Sequence, residues 1–177
     1  MTPSGPAPTL RTLRLTLRAL EAYDAARIAE LAHDFDVVRM SLRMPFPYTL
    51  ADAESFLERA SCKDPSRDVT WAIDAGEGLV GVLGFFTEEA PEPELGYWLG
   101  RSAWGRGLAT EAVGAALRWS AEVWGKPCIL ASVFVDNPAS TRVLVKCGFV
   151  ATDVVEPRWS TARGSEALAR CFFHQAP

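Results

Sequence analysis

Hydrophobic positions along the chain change period several times, and each change marks an element. Leu13, Leu15 and Leu17 alternate with Arg14, Thr16 and Arg18, the period of a half-buried strand. Ala25, Ile28, Ala29, Ala32 and Phe35 recur at helical spacing, which predicts a helix over about 22–34. Met44-Pro45-Phe46-Pro47-Tyr48 is irregular, because proline is excluded from helix interiors and from ladders. Thr49 suits the cap of a second helix with Ala53, Phe56, Leu57 and Ala60 on one face. Val69–Asp74 and Leu79–Phe86 read as strands joined by a turn with two glycines, Gly76 and Gly78.

The second half alternates strands with helices. Glu94–Leu99 reads as a short strand, 101–108 as a loop and 109–119 as a helix with a narrow stripe of Ala109, Ala112, Val113, Ala116 and Leu117. That helix stops near Trp124-Gly125-Lys126-Pro127. Residues 128–135 are mostly apolar, as in a strand buried on both faces. Asn137 and Pro138 suit the cap and first position of a further helix, which Gly148 ends. Residues 150–155 and 167–173 read as closing strands with a loop over 158–165. The order strand–helix–helix, three strands, helix, strand, helix, two strands fits a mixed α/β sheet with helices on its faces. No internal repeat is visible, so residues 1–9 read as a flexible leader and 10–177 as a single domain.

Composition narrows the function classes. Of 177 residues, 49 % are hydrophobic and 23 % charged, which argues against disorder, and the net charge of −4 argues against a nucleic-acid binder. No apolar run approaches the roughly 20 residues of a membrane span, and the N-terminal residues lack signal-peptide character, so a cytoplasmic protein is expected. Cys62, Cys128, Cys147 and Cys171 show no C-x-x-C spacing and only His33 and His174 accompany them, so neither a zinc site nor a disulfide framework is expected. His33, near a helix end, reads as a partner for terminal carbonyls. The carboxylates of Glu88, Glu89, Glu92 and Glu94 read either as a solvated loop or as an electrostatic lure for a cationic amine.

The candidate chemistry lies in Trp104-Gly105-Arg106-Gly107-Leu108-Ala109-Thr110. A strand, a glycine-rich turn and a helix start can hold a phosphate, because glycines admit close approach and unpaired N–H groups point at the anion. The P-loop pattern fails where Arg106 replaces lysine and Gly107 replaces the magnesium-binding hydroxyl. The dinucleotide pattern fails where Thr110 replaces the last glycine, and Asp136 lies about 26 residues beyond it instead of about 20.

Taken with Glu94-Leu95-Gly96-Tyr97-Trp98-Leu99 upstream and Asn137-Pro138-Ala139-Ser140-Thr141-Arg142-Val143-Leu144-Val145-Lys146-Cys147-Gly148-Phe149 downstream, this loop resembles that of the GNAT N-acetyltransferases. The similarity is greatest to the branch of ribosomal-protein N-terminal acetyltransferases and runs from about Leu10 to Phe173. Trp104 departs from the wider superfamily, which has Arg or Gln there, but is usual in that branch. The resemblance implies a mostly antiparallel sheet of about seven strands containing one splayed parallel pair. It implies acetyl-CoA as co-substrate, with the pyrophosphate held by main-chain groups from Gly105 to Ala109, and with Arg106, Thr110 and Trp104 in the same loop. Trp98 and Leu99 are expected to contact the cofactor through their backbone, and Asn137, Arg142 and Lys146 to flank it. Ser140 is implied as the group that protonates the departing thiolate. Glu94 is the candidate base, and Met44, Phe46 and Tyr48 are candidates for the acceptor pocket or plain core cover. Cys147 sits at a helix end, the pole that does not favour a thiolate, so direct transfer is expected over an acyl-enzyme. The acceptor is an amine, on a small molecule or a protein N-terminus. The alternatives are a non-catalytic acyl-CoA sensor and a dinucleotide-binding domain. Apolar strands near the C-terminus leave a homodimer open.

Overall fold

The computed structural model describes residues 7–87 and 91–176. Among the described residues, eight strands form one sheet: β1 (Leu10–Arg11), β2 (Thr16–Arg18), β3 (Val69–Asp74), β4 (Leu79–Phe86), β5 (Glu94–Leu99), β6 (Cys128–Phe134), β7 (Val150–Ser160) and β8 (Ser165–Gln175). The described residues also form the α-helices α1 (Asp24–Ala32), α2 (Phe35–Val38), α3 (Leu50–Ser61), α4 (Leu108–Trp119) and α5 (Pro138–Lys146). The spatial order is β1-β2-β3-β4-β5-β6-β8-β7, and every neighbouring pair is antiparallel except β5 and β6. No helix among the described residues is long and apolar enough to cross a membrane.

Helices cover both faces, so the central strands are buried on both sides. Trp71 and Ile73 of β3 pack with Leu83 and Phe85 of β4 toward α4, while Ala72 and Val82 pack toward α1 and α3. The α4 side is braced by aromatics: Trp71 meets Phe85 and Trp119 edge-on, and Trp124 stacks on both Phe85 and Trp119. Trp71 donates its indole N–H to the Pro8 carbonyl at 2.8 Å, and Ala7 packs on the same core, so the end of the stretch read as a leader is held. Residues 1–6 lie outside the described residues.

β5 and β6 share only two registered positions, Glu94 with Leu130 and Leu95 with Ala131. Beyond them β5 stays on β4 as far as Leu99, and β6 stays on β8 over its whole length. The parallel pair therefore splays, and the wedge between Gly96–Leu99 and Ser132–Phe134 opens between the starts of α4 and α5.

Several expected boundaries move, each for a local reason. The leucine alternation breaks at Leu13, which is 94 % exposed; β2 begins only at Thr16, and the short β1 raises the strand count to eight. The helix expected over about 22–34 ends at Ala32. Asp34 instead adopts an extended conformation and caps α2 by accepting from the Asp36 N–H at 2.9 Å. His33 donates from Nδ1 to the Tyr48 carbonyl rather than serving its own helix end. The expected loop over 158–165 shrinks to 161–164, because β7 runs through Pro157 to Ser160. A proline is tolerated there because β7 is the sheet edge and needs no donor on its outer side.

The connection between β1 and β2 does more than turn. Thr12 Oγ1 and the Arg14 N–H donate to Glu111 Oε1 on α4, at 2.6 and 2.9 Å. The Arg14 guanidinium donates to Glu111 Oε2 at 2.7 Å and to the Arg106 carbonyl at 2.8 Å. Burial works against ionisation of Glu111, but the hydrogen bonds from Thr12 and Arg14 outweigh it and hold its carboxyl below the ordinary range.

A depressed carboxyl pKa stabilises the fold above the unfolded-state value and loses that contribution as pH falls through the folded-state value. Glu111→Gln is therefore expected to lower stability to urea near about pH 6 and to converge on the wild type as pH falls through the folded-state value of Glu111, below which the carboxyl is protonated in both states. Gly81→Ala tests the β4–β5 seam: a Cβ at Gly81 would meet the Trp98 carbonyl oxygen and, at 2.9 Å, Leu99 Cα. A loss of about 1–3 kcal/mol in chemical denaturation is expected.

Candidate functional site

One cleft of about 1650 Å³ runs along the splay. Leu95, Tyr97 and Leu99 pack toward the α4 side and Trp98 toward the α1–α3 side, so β5 divides it. Toward α4 and α5 the lining includes Trp104, Gly105, Gly107, Leu108, Ala109, Thr110, Asn137, Ser140, Arg142 and Lys146; toward α1–α3 it includes Met44 and Tyr48.

The loop before α4 leaves main-chain N–H groups that can receive an anion. Gly105 and Gly107 have φ of 72° and 76°, a region costly for any residue with a Cβ. Gly107 is the N-cap of α4 and brings no side-chain acceptor. The N–H groups of Leu108, Ala109 and Thr110 have no acceptor within the helix, and the first backbone bond is from Glu111 N–H to the Gly107 carbonyl at 3.1 Å. The Arg106 side chain is absent from the lining, and its carbonyl is turned to Arg14. Trp104 donates its indole N–H to the Leu99 carbonyl at 2.8 Å, and the Arg101 guanidinium lies 5.1 Å from its ring centre. Arg142 and Lys146, one turn apart on α5, line the same end, and neither is paired with a carboxylate among the described residues.

The start of α5 holds a second group in place. Asn137 Oδ1 accepts from the Ser140 N–H at 3.1 Å, with Pro138 in the first helical position. Ser140 Oγ lies 2.7 Å from Tyr97 Oη. Burial pushes the Tyr97 phenol up to about 12, with the Ser140 bond opposing. Cys147 donates its thiol to the Thr110 carbonyl at 3.5 Å and is raised by burial, which disfavours the nucleophilic thiolate.

On the other side, Tyr48 is buried, with its phenol pushed up to about 12 chiefly by desolvation. Phe46 does not line the cleft: it is 44 % exposed and packs edge-on against Phe35 and tilted against His33. Glu94 lies at the point of parting, where Arg158 Nη2 of β7 donates to its carboxylate at 3.4 Å and to Ser132 Oγ at 3.2 Å. Glu88 and Glu89 of the acidic run lie outside the described residues, and Glu92 is exposed.

A chain of ion pairs edges this side. Arg101 bridges Asp34 and Asp36, Arg39 bridges Asp36 and Asp136, and Arg163 of the β7–β8 turn completes it on Asp136 at 2.9 Å. Arg163 holds the Asp136 carboxyl below its ordinary range, and Arg101 does the same for Asp34 and Asp36.

Sequence reasoning missed Tyr97, Arg158 and Arg14. Tyr97 left a usable signal: a phenol in the core-facing series Leu95, Tyr97, Leu99 needs a polar partner. Arg158 was hidden by the proline before it, and Arg14 by a leucine alternation that suggested an uninterrupted strand.

A family model described as acetyltransferase (GNAT) domain matches residues 14–150. The uncharacterized N-acetyltransferase YoaA of Bacillus subtilis (strain 168) is 29 % identical over 153 residues, covering 80 % of this chain and 82 % of that protein. RimJ of Mycobacterium smegmatis, solved with CoA-disulfide, superposes with a TM-score of 0.86 at 20 % identity, covering 99 % of this chain and 90 % of the other. RimL, the ribosomal L7/L12 alpha-N-protein acetyltransferase, solved with coenzyme A, gives 0.84 at 19 % identity, covering 96 % and 98 %. With the splayed parallel pair and the glycine loop in place, the match over most of its length establishes that this chain belongs to the GNAT acetyltransferase family.

Proposed function

We propose that the protein is an acetyl-CoA-dependent N-acetyltransferase that moves an acetyl group directly from the thioester to a primary amine. The observation that carries this reading is the convergence of the Gly105–Thr110 loop, the splayed edge of β5 and Ser140 on one cleft. RimJ and RimL, with the same fold, were solved with CoA-derived ligands, which supports the choice of donor.

In this reading the main-chain N–H groups from Gly105 to Ala109 bind the pyrophosphate, and Arg142 and Lys146 supply positive charge for the remaining phosphate. Main-chain groups of β5 freed by the splay, around Trp98, hold the pantetheine arm. Met44 and Tyr48 border the approach of the amine, and Glu94 accepts its proton through a water. The amine lone pair forms the C–N bond as the C–S bond breaks, and Ser140 gives its hydroxyl proton to the departing sulfur. Direct transfer is favoured over an acyl-enzyme because the buried, hydrogen-bonded Cys147 thiol is a poor nucleophile. The acceptor is a protein N-terminus or a small-molecule amine.

The deciding experiment follows release of free CoA thiol from acetyl-CoA with peptides bearing free N-termini, spermidine, aminoglycosides and amino acids. Acceptor-dependent release is expected with at least one class. Binding of acetyl-CoA with no transfer to any acceptor would favour a sensor instead. Ser140→Ala is expected to lower kcat by about 10²-fold while the calorimetric Kd for acetyl-CoA stays unchanged. Gly107→Val, forced into a left-handed conformation, is expected to weaken acetyl-CoA binding by at least about tenfold.

A further inference from the structure

We infer that Tyr97 is a positioning residue for the transfer step: its phenol donates to Ser140 Oγ and so aims the serine's own proton into the cleft. This inference rests on the acetyltransferase reading above. The two hydroxyls are 2.7 Å apart, come from β5 and α5, and both line the cleft on opposite sides of the splay.

The direction of the bond follows from the chemistry of the pair. A phenol is a stronger acid than an aliphatic alcohol and the better donor, while the serine oxygen carries two lone pairs. Once Tyr97 donates, Ser140 cannot return its hydrogen along the same line and must point it elsewhere. Asn137 Oδ1 already accepts from the Ser140 N–H, so a serine hydroxyl turned toward it would have to share that acceptor. With an unconstrained rotor, the hydroxyl of a serine in the first turn of a helix can turn to local main-chain acceptors instead. The phenol also stays a donor at working pH, since burial raises it; the titratable neighbour felt by Tyr97 is Cys147, itself kept protonated by burial.

During transfer the balance is simple. Ser140 gives its proton to the sulfur as the C–S bond breaks. Ser140 Oγ is re-protonated by the proton that the amine gave to Glu94, relayed through water, so the net change is one proton moved from the amine to the thiol. Tyr97 remains protonated throughout and lowers the cost of the transient charge on Oγ by its hydrogen bond.

The test is a double-mutant cycle on the enzyme with its preferred amine. Tyr97→Phe keeps the ring and removes the donor; kcat is expected to fall about tenfold, the equivalent of one such bond, with KM for acetyl-CoA within about twofold. In a Ser140→Ala background the same change is expected to cost nothing further, because nothing remains to be aimed. Replacing Tyr97 by 4-aminophenylalanine, which restores a donor on the same ring, is expected to recover most of the loss, and this comparison stands even where Tyr97→Phe lowers the melting temperature. An unchanged kcat in Tyr97→Phe, losses that multiply in the double variant, or no recovery with the amino analogue would each overturn the inference. None of these touches the acetyltransferase reading, which wild-type turnover decides on its own.

Discussion

Where β5 and β6 part after Leu95 and Ala131, two strands that would otherwise share a ladder leave main-chain groups facing each other across open space. Unpaired backbone groups away from water are costly, so the parting survives only because each strand is fully bonded on its other side. β4 holds β5 through Leu99, and β8 holds β6 from Cys128 to Phe134. The exit from β5 is tied down as well: Gly100 donates to the Val80 carbonyl and Leu99 accepts from Trp104. The wedge is thus a rigid opening within a continuous sheet. A ligand with its own amides can extend either edge, and the helix starts at both sides of the wedge aim N–H groups at its ends.

The charged side chains on the α1–α3 side serve geometry more than stability. Exposed ion pairs contribute little individually in water, yet Arg101, Arg39 and Arg163 connect the α1–α2 junction, the loop before α4, the turn before α5 and the β7–β8 turn. Asp36, Arg39 and Asp136 of this ion-pair chain also line the cleft. Arg163 adds a bond to the Arg39 carbonyl at 2.8 Å, so the far hairpin is latched to the irregular segment after α2. Glu94 is handled in the same way, with Arg158 reaching from β7 to the point where the sheet splits.

Much of this architecture was legible from local chemistry. Thr49 and Asn137 act as caps, Gly107 takes the positive φ a glycine is needed for, and the apolar run over 128–135 marks β6, although it ends at Phe134 and alternates buried with half-buried residues instead of being buried on both faces. Those signals depend on a few neighbouring residues, so a linear reading finds them. What escaped depends on partners far away in sequence. Asp34 breaks a helical period because its cap to Asp36 and its pair with Arg101 outweigh one more turn of α1. Pro157 looks like a loop residue until its strand is known to lie at the edge. Of the expected site residues, Ser140, Glu94, Met44 and Tyr48 and most of the loop share the cleft, whereas Phe46 turns to an aromatic cluster outside its lining. Tyr97 was overlooked because its meaning lies in a serine 43 residues away.

The clamp of Arg14 on Glu111 and on the Arg106 carbonyl has a kinetic side. Its partners are separated by 97 and 92 residues, so the loop acquires its brace only after a large part of the chain has been made and folded back. Contacts of such separation carry a high closure entropy and form late. A nascent chain would therefore possess the glycine turn, and the helix that follows it, before the turn was braced. The brace on the glycine turn thus comes from a stretch of chain that does not line the cleft.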